Sequence, residues 1–331
     1  MATMRDAFLE KLYGIASNDK RVVLLSADFG APSLDRFRAD LKDQFFHVGI
    51  AEQDMLNLAA GLAMEGRIVY VYAMSPFLPL RCLEQMKIHM ALRGLPITAV
   101  AVGAGFSYEL SGPTHHTLED IAIVNAIPGV TLYSCSDGVM GAALASMTHA
   151  SPGPAYVRFD REKTPDIYLE GADFGQGLSW LTRSSGVNII ATGIMVSQAL
   201  AVSRRLRERG LDVGVADIYR LKPLNGDALA EIISGSKYVV TMEEAFLNGG
   251  IGSMVASFMA DRGLNTPLKR LGASDQYFHR WGPREYVRSL HGLDIESATN
   301  VIGGIASKFS TTGMPNNSAN GSSPHVGKAS A

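Results

Sequence analysis

The sequence predicts an α/β protein of two parallel-sheet domains, the second smaller than the first. Short apolar runs alternate with helical patterns twice along the 331 residues. The runs are nearly continuous in apolar residues, as in sheets covered by helices on both faces. Between the two alternations, residues 166–184 are rich in Pro, Gly and polar residues and read as a linker.

The first alternation occupies residues 1–165. Phe8, Leu9, Leu12, Tyr13 and Ile15 recur at helical spacing and predict a helix over 1–16. Val22–Leu25 is a short buried strand running into Ser26-Ala27-Asp28, and FFHVG at 45–49 is the next. A helix over 51–64 follows, with small residues that allow close packing. Strands at 68–72, 97–102, 130–133 and 155–159 then alternate with helices over 83–92, 118–125 and 137–149. The second alternation, 185–307, places strands at 187–191, 213–217, 238–241 and 267–271. Its helices cover 197–209, 227–233, 250–260 and 283–290. The final stretch, 308–331, is rich in Ser, Asn and Gly without periodicity and reads as a disordered tail. Ligands of parallel sheets bind beyond the carboxyl ends of the strands, so the loops after 25, 49, 72, 102 and 159 are the ones to inspect.

Hydrophobic residues make up 47% and charged residues 19%, enough to build a large core and inconsistent with global disorder. A net charge of -2 excludes a chain built mainly around a phosphate-backbone footprint. No apolar run reaches membrane-spanning length, and the N-terminus carries charges where a signal peptide needs apolar residues. The two cysteines, Cys82 and Cys135, form neither a disulfide framework nor a CxxC pair. A cytoplasmic chain without nucleic-acid or membrane partners is expected.

Several loops carry residues suited to chemistry. Glu52 stands in the first turn of a helix, just past a strand. A helix-dipole carboxylate is the plain reading. Its neighbours Val48, Ile50, Ala51, Met55 and Leu56 are uncharged, and no Lys or Arg follows within the next turns. Burial there would favour a carboxyl that keeps its proton. In Gly112-Pro113-Thr114-His115-His116, a forced turn presents paired histidines, with Thr117 and Asp120 placed to cap the next helix. The histidines suit proton transfer or donation to a substrate oxygen, or simply a polar loop. No third ligand stands at metal-binding spacing. Phe77, after a strand, could pack in the core or form a shelf for a flat ring. Arg5, Arg158 and Arg161 are isolated cations that are either surface residues or anion ligands. No GxGxxG, GxxxxGK[ST] or GxSxG signature occurs.

Taken together, three segments resemble the C-terminal half of transketolase and the matching part of deoxyxylulose-phosphate synthase. They are His47-Val48-Gly49-Ile50-Ala51-Glu52-Gln53, Ser75-Pro76-Phe77-Leu78 with Arg81 and Glu84-Gln85, and Gly112-Pro113-Thr114-His115. The resemblance implies a pyrimidine-binding domain followed by the family's smaller C-terminal domain, and thiamine diphosphate as cofactor. In it, Glu52 matches the acid that faces the pyrimidine nitrogen, sharing a proton with a neutral ring. Phe77 matches the ring that stacks on the pyrimidine. Phe29 matches the bulky residue that props the cofactor in its bent shape, and Asp28 the neighbouring acid. On the substrate side, His115 matches a histidine that bonds hydroxyl or carbonyl oxygens, and His47 stands with it. Arg5 and Arg161 match two arginines that hold a sugar phosphate, and Ser33 the accompanying serine.

Four positions depart from the pattern. Leu80 and Leu83 stand where transketolases often carry aromatics. Ser111 stands where an aspartate reads a donor hydroxyl, and Gly103 where another phosphate-side histidine is expected. The family's diphosphate and Mg are held by a GDG…N segment of its N-terminal half, and this chain has none. The resemblance therefore implies a split enzyme: this chain needs a partner polypeptide with the GDG…N segment, in an α2β2 assembly. Together they would move a two-carbon ketol unit from a ketose, expected to be phosphorylated, to an aldehyde. Other readings are a beta subunit of a 2-oxoacid dehydrogenase-type or acetoin-cleaving enzyme, deoxyxylulose-phosphate synthesis, and a chain that only binds or regulates another enzyme.

Overall fold

The computed structural model describes residues 3–27, 30–277, 279–280 and 282–309. Asp28 and Phe29, and residues 310–331 of the expected tail, lie outside the described residues.

The chain opens with α1 (Met4–Asn18), β1 (Val22–Ser26), α2 (Leu34–Asp40), β2 (Phe45–His47), α3 (Glu52–Met64) and β3 (Ile68–Met74). Two short turns, α4 (Leu78–Arg81) and α5 (Leu83–Gln85), lead into a π-helix over Met86–Leu92. Next come β4 (Ile97–Val102), α6 (Asp120–Asn125), β5 (Thr131–Ser134), α7 (Gly138–Ala150) and β6 (Ala155–Phe159). The second unit contains β7 (Leu178–Thr182), β8 (Val187–Ala191), α8 (Met195–Glu208), β9 (Val213–Ile218) and β10 (Arg220–Lys222). It ends with α9 (Gly226–Ser234), β11 (Tyr238–Phe246), α10 (Ile251–Arg262), β12 (Leu268–Ala273), α11 (Arg284–Leu290) and α12 (Ile295–Ala306).

Two sheets result, with orders β10-β5-β6-β4-β3-β1-β2 and β12-β11-β8-β9-β7. All pairings are parallel except β10 on β5 and β7 on β9. Strands β1, β4 and β6 are buried at every residue, as apolar runs covered on both faces must be. The chain leaves β1 in one direction for β2 and in the other for β3 and β4. Such a change of direction marks the usual ligand position in sheets of this kind, beyond the carboxyl ends of the strands.

The sequence reading differs from the structure where periodicity is short or masked. Helix α2 buries only Leu34 and Phe37, too few residues for a stripe. Helix α12 packs small residues, Ala298 and Ala306, beside Ile302, and Gly303-Gly304 blurs its pattern. Strand β7 lies inside the stretch read as linker, as an antiparallel edge. The helix expected over 83–92 is broken into α5 and the π-helix. Ser307–Phe309 forms a 3-10 turn with Phe309 against Tyr238, just inside the expected tail. Strand β10 has no strand signature. It crosses from the second unit to pair with β5, and Lys222 Nζ donates to the Asn125 carbonyl at 2.8 Å.

A buried charge cluster joins the two units. Arg284 of α11 bonds both carboxylate oxygens of Asp160, at 2.9 and 2.6 Å, and Glu244 of β11 at 2.6 Å. Arg288 Nε donates to the other Glu244 oxygen at 2.6 Å. Glu244 also accepts the Phe106 N–H at 2.9 Å. Gly105 has φ +62°, and a Cβ there would lie 2.3 Å from Glu244 Oε2, so only glycine lets this loop approach the carboxylate. Burial alone would raise the Glu244 pKa, but Arg284 and Arg288 outweigh it and hold the carboxyl down at about 2.

Because that carboxyl is depressed from an ordinary value of 4.5, its stabilisation is complete above 4.5 and is lost as pH falls toward 2. Glu244→Gln should cost about 3–5 kcal/mol at neutral pH by leaving two buried guanidinium groups underpaired. The gap between wild-type and variant thermal midpoints should shrink from pH 7 to pH 3. A constant gap would show that the charge of Glu244 is not what stabilises the junction.

Candidate active site

Loops at the carboxyl ends of the first sheet's strands bring most of the sequence-selected residues into one run of contacts. Glu52 is the first residue of α3 and is only 4% exposed. Its uncharged setting, expected from local sequence, is corrected by the fold. Arg81, at the end of α4, places Nη1 2.8 Å from Glu52 Oε2. Gln53 Nε2 donates to the Arg81 carbonyl at 2.8 Å and fixes that end of α4 against the start of α3. The Arg81 guanidinium lies over the Phe77 ring, 4.1 Å from its centroid. Residues four apart on one helical turn meet in this way. The Phe77 ring also meets His115 in a T-shaped contact, with centroids 5.3 Å apart. A cleft of about 230 Å³ is lined by Ile50, Ala51, Glu52, Gln53, Asp54 and Arg81.

The run continues toward the arginines. His115, bonded to Thr114 Oγ1 at 2.9 Å, lies edge-on to Tyr108 at 6.1 Å. Arg161 covers the Tyr108 ring at 4.4 Å and reaches the Ser107 carbonyl. Arg5 also acts on Tyr108 through its charge. Burial, only partly offset by these two cations, pushes the Tyr108 hydroxyl up to about 12. That hydroxyl is buried without a hydrogen-bond partner among the described residues. Arg5 and Ser33 are gathered by Asp6, which sequence reading missed. Asp6 Oδ1 accepts from Arg5 Nε and from Ser33 Oγ, each at 3.0 Å. Burial opposes ionisation of Asp6, but bonds from Thr3 and Ser33 and the charge of Arg5 lower its pKa. Asp6 could have been found as the N3 partner of the helix cap Thr3.

Other expectations are redirected. Arg158 is no surface arginine. It is buried, with Nε 2.8 Å from Asp120 Oδ2. Asp120 does not cap α6 but accepts from Arg158 and from the Tyr156 hydroxyl, while Thr117 Oγ1 donates to the Gly103 carbonyl. The histidine pair divides. His115 faces the site, whereas His116 is buried edge-on to Phe106, where burial lowers its pKa. His47 ends β2 on the exposed rim, in register with Ser26. Leu80 and Leu83 are exposed, on α4 and α5. Ser111 closes a 3-10 turn on the exposed side of the His115 loop. Among the described residues no group of three or more His, Cys, Asp or Glu is placed to hold a metal ion.

Gly103 explains its own departure. It has φ +105°, and a Cβ there would lie 2.0 Å from Tyr108 Cε2. Tyr108 thus fills the room that a side chain at 103 would use.

The family description "Transketolase, pyrimidine binding domain" matches residues 1–166, and "Transketolase, C-terminal domain" matches 180–297. The chain is 34% identical, over 88% of its length and 90% of the relative's, to a 6-deoxy-6-sulfo-D-fructose transketolase subunit of Clostridium sp. (strain MSTE9). It is 31% identical to an apulose-4-phosphate transketolase subunit of Phocaeicola vulgatus, over 89% of this chain and 95% of that one. Among solved structures it is similar to a split-gene transketolase described as an inactive beta4 tetramer. The TM-score is 0.84 at 25% identity, covering 93% of this chain and 99% of the other.

Restoring a side chain by Gly103→His should destabilise the fold by about 1–3 kcal/mol, because both the positive φ and Tyr108 oppose it. Thermal unfolding measures this, and a midpoint equal to the wild type would refute the packing role given to Tyr108.

Proposed function

The chain belongs to the transketolase family, and from there we propose that it is the pyrimidine-side subunit of a split, thiamine-diphosphate-dependent transketolase. It transfers a two-carbon ketol unit from a ketose to an aldehyde acceptor. The observation that carries this reading is the unbroken run Glu52–Arg81–Phe77–His115–Tyr108–Arg161. It links a buried acid and an aromatic face at one end to the Arg161 guanidinium at the other.

The residues fit the pyrimidine end of the cofactor. A planar group already lies on Phe77 and bonds Glu52, so a flat ring bearing nitrogen matches the shape and polarity of that slot. Bound there, thiamine diphosphate would supply a carbon nucleophile that no side chain offers. Glu52 would hold a proton at Oε2 against the ring nitrogen, in a position that keeps water away. Phe77 would fix the plane of the ring. His115, braced by Phe77 and Tyr108, would bond the oxygens of the sugar. Arg5 and Arg161 would bind an anionic group at the sugar's end, with Ser33 beside them and His47 at the rim. The relatives' names include a sulfo sugar and a sugar phosphate, which suits two cations there.

The rest of the machinery is assigned to a partner. The chain has no GDG segment, so the diphosphate and Mg fall to a second polypeptide. Ile50 stands exposed just before α3, Leu58 and Met64 on α3, Leu80 and Leu83 on α4–α5, and Leu92 at the end of the π-helix. Such an apolar face at the mouth of a site marks a docking surface. We assign it to the partner in an α2β2 assembly. The two cysteines are free and buried, which suits a cytoplasmic setting, and among the described residues no helix is long and apolar enough to cross a membrane.

The test is co-expression with a GDG-bearing chain and assay with ketose donors. Glu52→Gln should lower turnover by about 10²- to 10⁴-fold while assembly persists; a rate within threefold of wild type would remove Glu52 from the chemistry. Arg161→Met should raise KM about tenfold or more for phosphorylated donors, the scale of one charge-assisted hydrogen bond, and leave unphosphorylated donors nearly unchanged. Equal effects on both donor classes would dismiss Arg161 as an anion ligand.

A further inference from the structure

The two arginines assigned to the sugar's anionic end are held in different ways. Arg5 is paired, with Nη2 2.9 Å from Asp6 Oδ1. Arg161 is exposed and pairs with no carboxylate among the described residues. Its contacts are the Tyr108 ring, whose centroid lies 4.4 Å away, and the Ser107 carbonyl, 3.4 Å from Nη1. Tyr108 is the reverse: it is 8% exposed and packs against Gly103 and His115. Both residues hang from one anchor. Ser107 Oγ, beside Tyr108 in the chain, donates to Oδ2 of Asp160, beside Arg161, at 2.8 Å, and Arg284 holds the same oxygen at 2.6 Å. A buried bond of the charge cluster thus ties the segment that carries the ring to the segment that carries the guanidinium.

We propose that Tyr108 is a positioning residue for the phosphate end of the sugar: its buried ring pre-sets the unpaired guanidinium of Arg161 and through it selects ketoses that carry a terminal phosphate. This deepens the proposed function and rests on it, because Tyr108 acts only if Arg161 is an anion ligand. A long exposed side chain loses rotamer freedom when a ligand orders it, and a face that already holds it lowers that cost. Tyrosine also suits the task electrostatically. Burial pushes its hydroxyl up to about 12, so it stays neutral beside Arg161 and leaves that charge to the ligand. A carboxylate would hold Arg161 as firmly but would cancel the charge that a phosphate needs. A guanidinium over a ring face still offers N–H donors along its edge. The support of the ring therefore acts on affinity for the phosphate and not on ketol transfer.

The experiment uses the full chain assembled with its diphosphate-side partner, thiamine diphosphate and Mg²⁺. Rates are measured with fructose 6-phosphate and with fructose as donors to one aldehyde acceptor, and inorganic phosphate is titrated as a competitive inhibitor. Tyr108→Leu removes the ring face. It should raise KM for fructose 6-phosphate, and Ki for phosphate, about three- to tenfold, with smaller changes in kcat and in KM for fructose. Tyr108→Phe keeps the face and should recover most of that loss. Arg161→Lys keeps the charge but not the flat group that a ring supports, and should reproduce the Tyr108→Leu effect in a chain whose core is untouched. In the double variant, Tyr108→Leu should add nothing to Arg161→Met. Additive losses, or equal losses for fructose and fructose 6-phosphate, would overturn the positioning role alone. An Arg161→Lys enzyme with wild-type KM for fructose 6-phosphate would do the same, whether or not Tyr108→Leu assembles. An Arg161→Met enzyme with that wild-type KM would instead overturn Arg161 as the anion ligand, and the role of Tyr108 with it.

Discussion

The Glu244 carboxylate is the interaction on which the arrangement depends. It is buried, it accepts from two guanidinium groups of α11, and it accepts a backbone N–H from Phe106. The second unit thereby holds the loop after β4, which carries Tyr108 and His115. Loss of any one partner would leave uncompensated charge in a dry interior, so the cluster acts as an all-or-none clamp rather than as separate contacts. Strand β10 makes a second tie at the other edge of the first sheet. The functional loop is thus braced from the C-terminal unit, although every residue proposed to touch cofactor or substrate comes from the first 161 positions.

The site itself is a graded surface. At one end an acid sits almost out of water; at the other, two arginines stand near a tyrosine whose hydroxyl lacks a partner among the described residues. Ring contacts join the two ends, from Phe77 through His115 to Tyr108. Tyr108 matters most in this respect. It carries Arg161 on one face, meets His115 at its edge, and occupies the volume freed by Gly103.

Asp6 plays a comparable part on the first helix. By bonding Thr3, Arg5 and Ser33 it ties the helix start to the loop before α2 and holds the Arg5 side chain. Such acids serve the site by holding its cations rather than by meeting a ligand.

Local pattern alone established the two α/β units and most strand positions, and singled out Glu52, Phe77 and His115 as candidates, because strand and helix periods and turn residues are written over short stretches of chain. It also placed those residues at strand ends, where parallel sheets expose their loops. It did not establish what surrounds them. Arg81 meets Glu52 across 29 positions and Phe106 meets Glu244 across 138. The three-residue β10 takes its partner from another unit. None of these pairings leaves a periodic trace; each exists only because folding brings distant side chains within a few ångströms. That is why the acid expected to sit among apolar neighbours has a cation beside it, and why Arg158, which looked like a surface residue, lies in the core.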